Sequence, residues 1–174
     1  MLSRPPGFRA ARVTSESHEE NTMGTQGTPF TVLMADDDED DRMFTREAWE
    51  ENHLANPLHF VQDGVELLEY LRREGDFVHL SGSPLPGLIL LDLNMPRKDG
   101  REALAEIKAD PDLRYIPMVI LTTSSAEADI FRAYDLGVSS FIVKPVTFES
   151  LVGVIKILSE YWFQIVELPH KSLP

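Results

Sequence analysis

The chain has 174 residues, the length of one domain, and 43% of them are hydrophobic, which excludes collagen-like and wholly disordered classes. Sixteen basic against 29 acidic residues give a formal charge of −13; a field of that sign repels phosphate backbones and anionic lipid, so neither nucleic acid nor membrane is expected as a partner. Cysteine is absent, which removes disulfides, thiolate catalysis and Cys-ligated zinc, and no apolar run reaches the ~18 residues of a membrane span, so the expected setting is the cytoplasm.

Residues 1–28 differ from the rest. Arg4, Arg9 and Arg12 balance Glu16, Glu19 and Glu20, no hydrophobic period is present, and Ser, Thr, Gly and Pro dominate. This segment is expected to be a disordered leader or the product of a misassigned start, with Met23 the alternative first residue. Residues 29–166 are expected to form the domain and 167–174 a tail. Apolar runs of strand length occur at Thr31–Ala35, Leu58–Val61, Leu88–Leu91, Met118–Leu121 and Phe141–Val143, separated by helix-period segments. Near-continuous apolar strands are those of a parallel sheet covered on both faces. Asp63 with Glu66, and Ser124 with Glu127, have the spacing of helix starts. Gly75, Gly137 and Asp110-Pro111 mark helix ends. Five β–α units with right-handed crossovers predict an α/β, doubly wound, five-stranded parallel sheet in the flavodoxin-like order 2-1-3-4-5.

In such a sheet, ligands bind beyond the carboxyl ends of the strands. Strand one ends in the acidic run Asp36 to Asp41, strand three in Asp92-Leu93-Asn94, strand four in Thr122-Thr123-Ser124, and strand five in Lys144-Pro145. Strands one and three are neighbours in the expected order, so Asp36, Asp37 and Asp92 converge. Clustered carboxylates repel unless protonated or bound to a cation, and Mg²⁺ suits one or two carboxylates, waters and a phosphate. Lys144 supplies a compact positive charge and Thr122 a hydroxyl for phosphoryl oxygens. Asp92 is a carboxylate able to attack phosphorus. These are the parts of phosphoryl transfer, which depends on positioning and charge stabilisation. Glu39, Asp40 and Asp41 lie past the strand end and read as a solvated helix start that complements the dipole. The five histidines are scattered and read as surface residues.

The runs Val32-Leu-Met-Ala-Asp-Asp37, Leu90-Leu-Asp-Leu-Asn-Met-Pro96, Leu121-Thr-Thr-Ser124 and Val143-Lys-Pro145 resemble the receiver domain of two-component response regulators. The resemblance spans Phe30 to Val166 and implies a (βα)5 receiver fold. It also implies that Asp92 accepts a phosphoryl group from a sensor histidine kinase. Asp36, Asp37, Asp92 and the backbone carbonyl of Asn94 would then hold Mg²⁺, while Thr122 and Lys144 bind the phosphoryl group. Phe141 takes the position of the switch aromatic, and Lys144-Pro145 that of a cis peptide. By the same resemblance the protein is a signalling phospho-acceptor rather than an enzyme, with at most self-phosphorylation and self-dephosphorylation. Segments Gly100–Leu113, Gly75–Gly87 and Tyr161–Pro169 are similar to the single-domain regulators that serve phytochrome histidine kinases.

Two rivals share the fold. A Mg²⁺-dependent aspartyl-phosphate phosphohydrolase needs an acid–base Asp two residues after its nucleophile, and that position is Asn94, which has no useful proton to give. A flavin carrier needs a phosphate-cradling first loop, and the acidic run would repel the phosphate. The 29 residues after Pro145 are too few for a DNA-binding effector domain, so output through contact with an unidentified downstream protein is expected. In the last helix, Phe148, Leu151, Val152, Ile155, Leu158, Trp162 and Ile165 form the stripe that covers the sheet. Val154, Ile157, Tyr161 and Leu168 lie mostly off it. A C2 homodimer is expected to cover this second series, with Trp162 or Tyr161 the dominant aromatic, and a tail folded back over it is the alternative.

Overall fold

The computed structural model describes residues 29–169. The expected leader 1–28, and residues 170–174 of the expected tail, lie outside the described residues. The elements run β1 (Val32–Ala35), α1 (Glu39–Glu51), β2 (Leu58–Val61), α2 (Gly64–Arg72), a 3-10 turn (Gly75–Leu80), β3 (Leu88–Leu91), α3 (Gly100–Ala109), β4 (Met118–Thr122), α4 (Glu127–Asp135), β5 (Ser140–Val143) and α5 (Phe148–Ser159), which continues into a π-helical turn (Glu160–Ile165). All neighbouring strands pair in parallel, in the expected order β2-β1-β3-β4-β5.

Strand side chains alternate between two faces, and each face has its own core. Leu33, Ala35, Ile89, Leu91, Met118 and Ile120 meet the apolar sides of α2 and α3. Val32, Met34, Leu88, Leu90, Val119 and Leu121 meet α1 and α5. The three central strands are buried throughout, whereas the edges β2 and β5 are only partly covered. Fully burying one Leu or Ile stabilises by about 1.5–3 kcal/mol, so the central strands fix the sheet and hold its carboxyl ends in register. Asn52 ties α1 to α5, its amide donating to both Ala48 O and Val152 O. No helix among the described residues is long and apolar enough to cross a membrane.

Several local expectations change. Ser124 does not cap α4: Ala126 holds the N-cap position without a side-chain bond, because the Ser124 hydroxyl donates to Asp129 instead (2.7 Å). Asp63 does cap α2, accepting from Val65 and Glu66 N–H, while Glu66 reaches back to Gln62 N–H. The full capping box is Asp99 with Glu102 at the start of α3. The Lys144–Pro145 bond is trans, the isomer that X-Pro bonds favour by ≈ 0.5–1 kcal/mol.

The last helix is also corrected. Trp162 is buried, and Val154 and Leu168 pack on the α1/α5 core, so these three are core contacts rather than an open interface. Ile165, expected inside, is exposed. The cause is the π turn, closed by Val166 N–H to Tyr161 O. An i→i+5 bond delays the helical phase, so Val166 takes the inward position that a 3.6-residue period assigns to Ile165. Ile157 and Tyr161 stay exposed beside it, at 67% and 51%.

Candidate functional site: an acidic pocket at the carboxyl ends of β1 and β3

Parallel pairing of Ala35 with Leu91 carries the next residues, Asp36 and Asp92, to the same edge of the sheet. Both are buried, at 0% and 6%, and Asp37 beside them is exposed. One carboxylate oxygen from each of Asp36, Asp37 and Asp92 lies within 4.8 Å of the other two. Asp36 Oδ1 accepts from Asp38 N–H at 3.0 Å, and Asp92 Oδ1 accepts from Asn94 N–H at 3.3 Å.

Lys144 enters from the end of β5, its backbone N–H held by Thr122 O. Its ammonium lies 2.7 Å from Asp36 Oδ2, 2.5 Å from Asp41 Oδ2 and 3.6 Å from Asp92 Oδ2. Burial pushes the Asp36 carboxyl up to about 6, against the lowering pull of Lys144 and of the Asp38 N–H. Burial pulls the Lys144 ammonium down, but its bonds to Asp36 and Asp41 outweigh this and hold it above the ordinary lysine range. Asp41 therefore departs from the expected solvated helix start: it turns into the site.

Thr122, fully buried, ends β4 next to β3, and its hydroxyl accepts from Ser124 N–H at 3.3 Å. Phe141 is half-buried against the core, and its N–H donates to Tyr134 Oη. Two arginines brace the loop after Asp92. Arg97 donates to the buried Asp63 (Nε to Oδ2, 2.6 Å), which ties the loop to α2. Arg101 forks onto Asp129 of α4 with two 2.6 Å bonds and also donates to Leu93 O. Arg101 and the Ser124 hydroxyl hold the Asp129 carboxyl down to about 2.

This set is built to hold a cation and a phosphoryl group side by side. Three oxygen donors, two of them buried, repel one another until a positive charge joins them. Asp36 Oδ2 is buried and takes no well-aligned hydrogen bond, with the Lys144 ammonium as its ion-pair neighbour. A buried, hard carboxylate oxygen beside two more carboxylates fits a divalent ion such as Mg²⁺ or Mn²⁺.

Residues 32–156 match the family model described as response regulator receiver domain. The chain belongs to that family. As a receiver it is a phospho-acceptor of two-component signalling. Response regulator Rcp1 of Synechocystis is 37% identical over 141 residues, 81% of this chain and 94% of Rcp1. The Mn²⁺-bound Rcp1 structure superposes with a TM-score of 0.74, covering 82% of this receiver and all of that chain. The phosphorylated cyanobacterial phytochrome response regulator RcpA gives a TM-score of 0.76 at 40% identity, over 82% of this receiver and all of RcpA. A probable methanogenesis regulatory protein, FilR2 of Methanothrix harundinacea, is 38% identical over 77% of this chain and 84% of its own.

Proposed function

We propose that Asp92 accepts a phosphoryl group from a phosphohistidine of a sensor histidine kinase, and that the kinase is a phytochrome. Residues 29–166 act as the signalling unit, in the cytoplasm. The observation that carries this reading is the Asp92 carboxylate: buried, 3.6 Å from the Lys144 ammonium and grouped with Asp36 and Asp37. An Asp92 oxygen attacks phosphorus, the P–N bond breaks, and the imidazole leaves with the electron pair and is protonated. The product is an aspartyl phosphate. Asp36, Asp37, Asp92 and the Asn94 carbonyl would hold Mg²⁺, which when bound neutralises charge on the phosphoryl oxygens. Lys144 pairs with one phosphoryl oxygen and the Thr122 hydroxyl donates to another. Similarity to RcpA, a phytochrome response regulator, supports the phytochrome input.

The assembly we favour is a C2 homodimer through the exposed Ile157, Tyr161 and Ile165. The chemistry is tested by intact mass after exposure to acetyl phosphate and Mg²⁺. The native protein gains one phosphoryl group, and chelation of Mg²⁺ suppresses the gain. Asp92→Asn keeps the fold and gains none; a stable adduct on that variant refutes the assignment. The input is tested by incubation with an autophosphorylated phytochrome kinase, which transfers its label to the native protein faster than non-phytochrome kinases do.

A further inference from the structure

We infer that Asp41 is a positioning residue that shares the Lys144 ammonium with Asp36 and so draws part of its charge off the oxygens that would hold the metal, until a phosphoryl group takes the lysine over. The inference rests on the reading of Asp92 as acceptor.

Lys144 has three donors and three carboxylates within reach, and the shortest of its contacts is to Asp41 rather than to the pocket acids. Asp41 is held in place for this. Asp38 caps α1 and accepts from both Asp40 and Asp41 N–H, and Arg42 Nη1 donates to Asp36 O at 2.7 Å. The first turn of α1 is thereby pinned to the end of β1. Lys144 and Asp41 also border a cleft walled by Phe44, Pro145 and Phe148. With Asp41 in place, the lysine's charge is shared between a carboxylate outside the pocket and Asp36 within it. Without it, the whole positive charge falls on Asp36 and Asp92 and competes with a divalent ion for the same oxygens.

Two binding effects of opposite sign follow for Asp41→Asn. Without its partner outside the pocket, Lys144 repels Mg²⁺ more and grips a phosphoryl mimic better. Asp40 provides the control: it is exposed and carries the same charge one residue away, whereas the ion pairs of Lys144 among the described residues are to Asp36, Asp41 and Asp92. The experiment titrates the full chain with Mg²⁺ alone, followed by amide chemical shifts, and then with beryllofluoride at saturating Mg²⁺. Asp41→Asn is expected to raise the Mg²⁺ dissociation constant about fivefold and to lower that of beryllofluoride, whereas Asp40→Asn shifts either by less than about twofold, being screened by solvent. Equal effects of the two substitutions, no effect of Asp41→Asn, or weakening of both ligands by it would each overturn the role of Asp41. Labelling of Asp92 by acetyl phosphate in the same preparations separates the two readings: labelled native protein with any of those outcomes sinks the inference alone, and a native protein that neither binds Mg²⁺ nor labels sinks both.

Discussion

Gly100, the first residue of α3, lies directly against the main chain of Asp92. A Cβ at this position would stand 2.8 Å from Leu93 Cα and 2.9 Å from the Asp92 carbonyl carbon, closer than carbon atoms pack. The helix that follows the acidic pocket can therefore approach it only with no side chain at its first position. Gly153, in the middle of α5, has open space around the same direction. Gly100→Ala should cost about 1–3 kcal/mol, the range for overpacking, whereas Gly153→Ala should stabilise by about 0.5–1 kcal/mol through helix propensity. Urea unfolding midpoints of the two variants decide this, and a Gly100→Ala protein as stable as the parent contradicts the packing argument.

Thr122 and Phe141 are expected to transmit the phosphorylated state. When the Thr122 hydroxyl turns to the phosphoryl group it leaves Ser124 N–H, and the Phe141 ring moves into the vacated space. Thr122→Ala should still accept phosphate from acetyl phosphate but lose the phosphorylation-dependent change in self-association or kinase affinity. Amide shifts of Phe141 and its neighbour in space Tyr134, compared with and without phosphate, read the motion directly; a full response in the variant assigns the switch to another route.

The Arg101–Asp129 fork gives a pH dependence of defined sign. The Asp129 carboxyl is held down to about 2 by Arg101 and Ser124, below its unfolded value of ~3.9. The unfolded chain thus binds the extra proton first as acid is added. The contribution is fully present above pH ~4 and is lost as pH falls through about 2; with partial exposure it amounts to on the order of 1–2 kcal/mol. Arg101→Met should flatten this segment of the stability–pH curve while leaving stability between pH 6 and 7 lower than the parent's. Chemical denaturation at pH 2.5, 4 and 7 tests it.

The exposed Ile157, Tyr161 and Ile165 predict the assembly. Tyr161→Arg places a charge in the middle of the patch and should yield a monomer with unchanged circular dichroism. Sedimentation velocity at ~100 μM, well above a micromolar dissociation constant, should find the parent protein as a dimer; a parent that sediments as a monomer ends the proposal.

Strand order and the gathering of Asp36, Asp37, Asp92, Thr122 and Lys144 were legible because a parallel sheet turns sequence position into place. A residue just past an apolar run lies at the carboxyl rim, whatever its neighbours. Asp41 was not legible on that logic, since it sits on a helix, where the direction of a side chain depends on how α1 leans on β1. Arg101 and Asp129 stand 28 positions apart on two helices, and no local pattern couples them. The Asp99-x-x-Glu102 spacing is a local signal of the start of α3, whereas the same spacing at Ser124 gives no cap because its hydroxyl finds a stronger, charged partner in Asp129. Ile165 was misplaced for one reason: a 3.6-residue period assumes an α-helix to the end, and the π turn rotates Ile165 out and Val166 in.

Phe30 and Leu168 both pack on Gly87, the residue that precedes β3. The two ends of the described segment thus meet at the amino edge of the sheet, and the four residues of β3, at ~3.3 Å each, separate them from Asp92. A short Gly/Ser bridge joining Leu168 to Phe30, with new termini opened in the exposed loop near Gly82, would give a circular permutant whose acidic rim is untouched. For the same reason, a dye or an affinity handle attached at Phe30 or Leu168 sits at the pole of the sheet opposite the acidic rim.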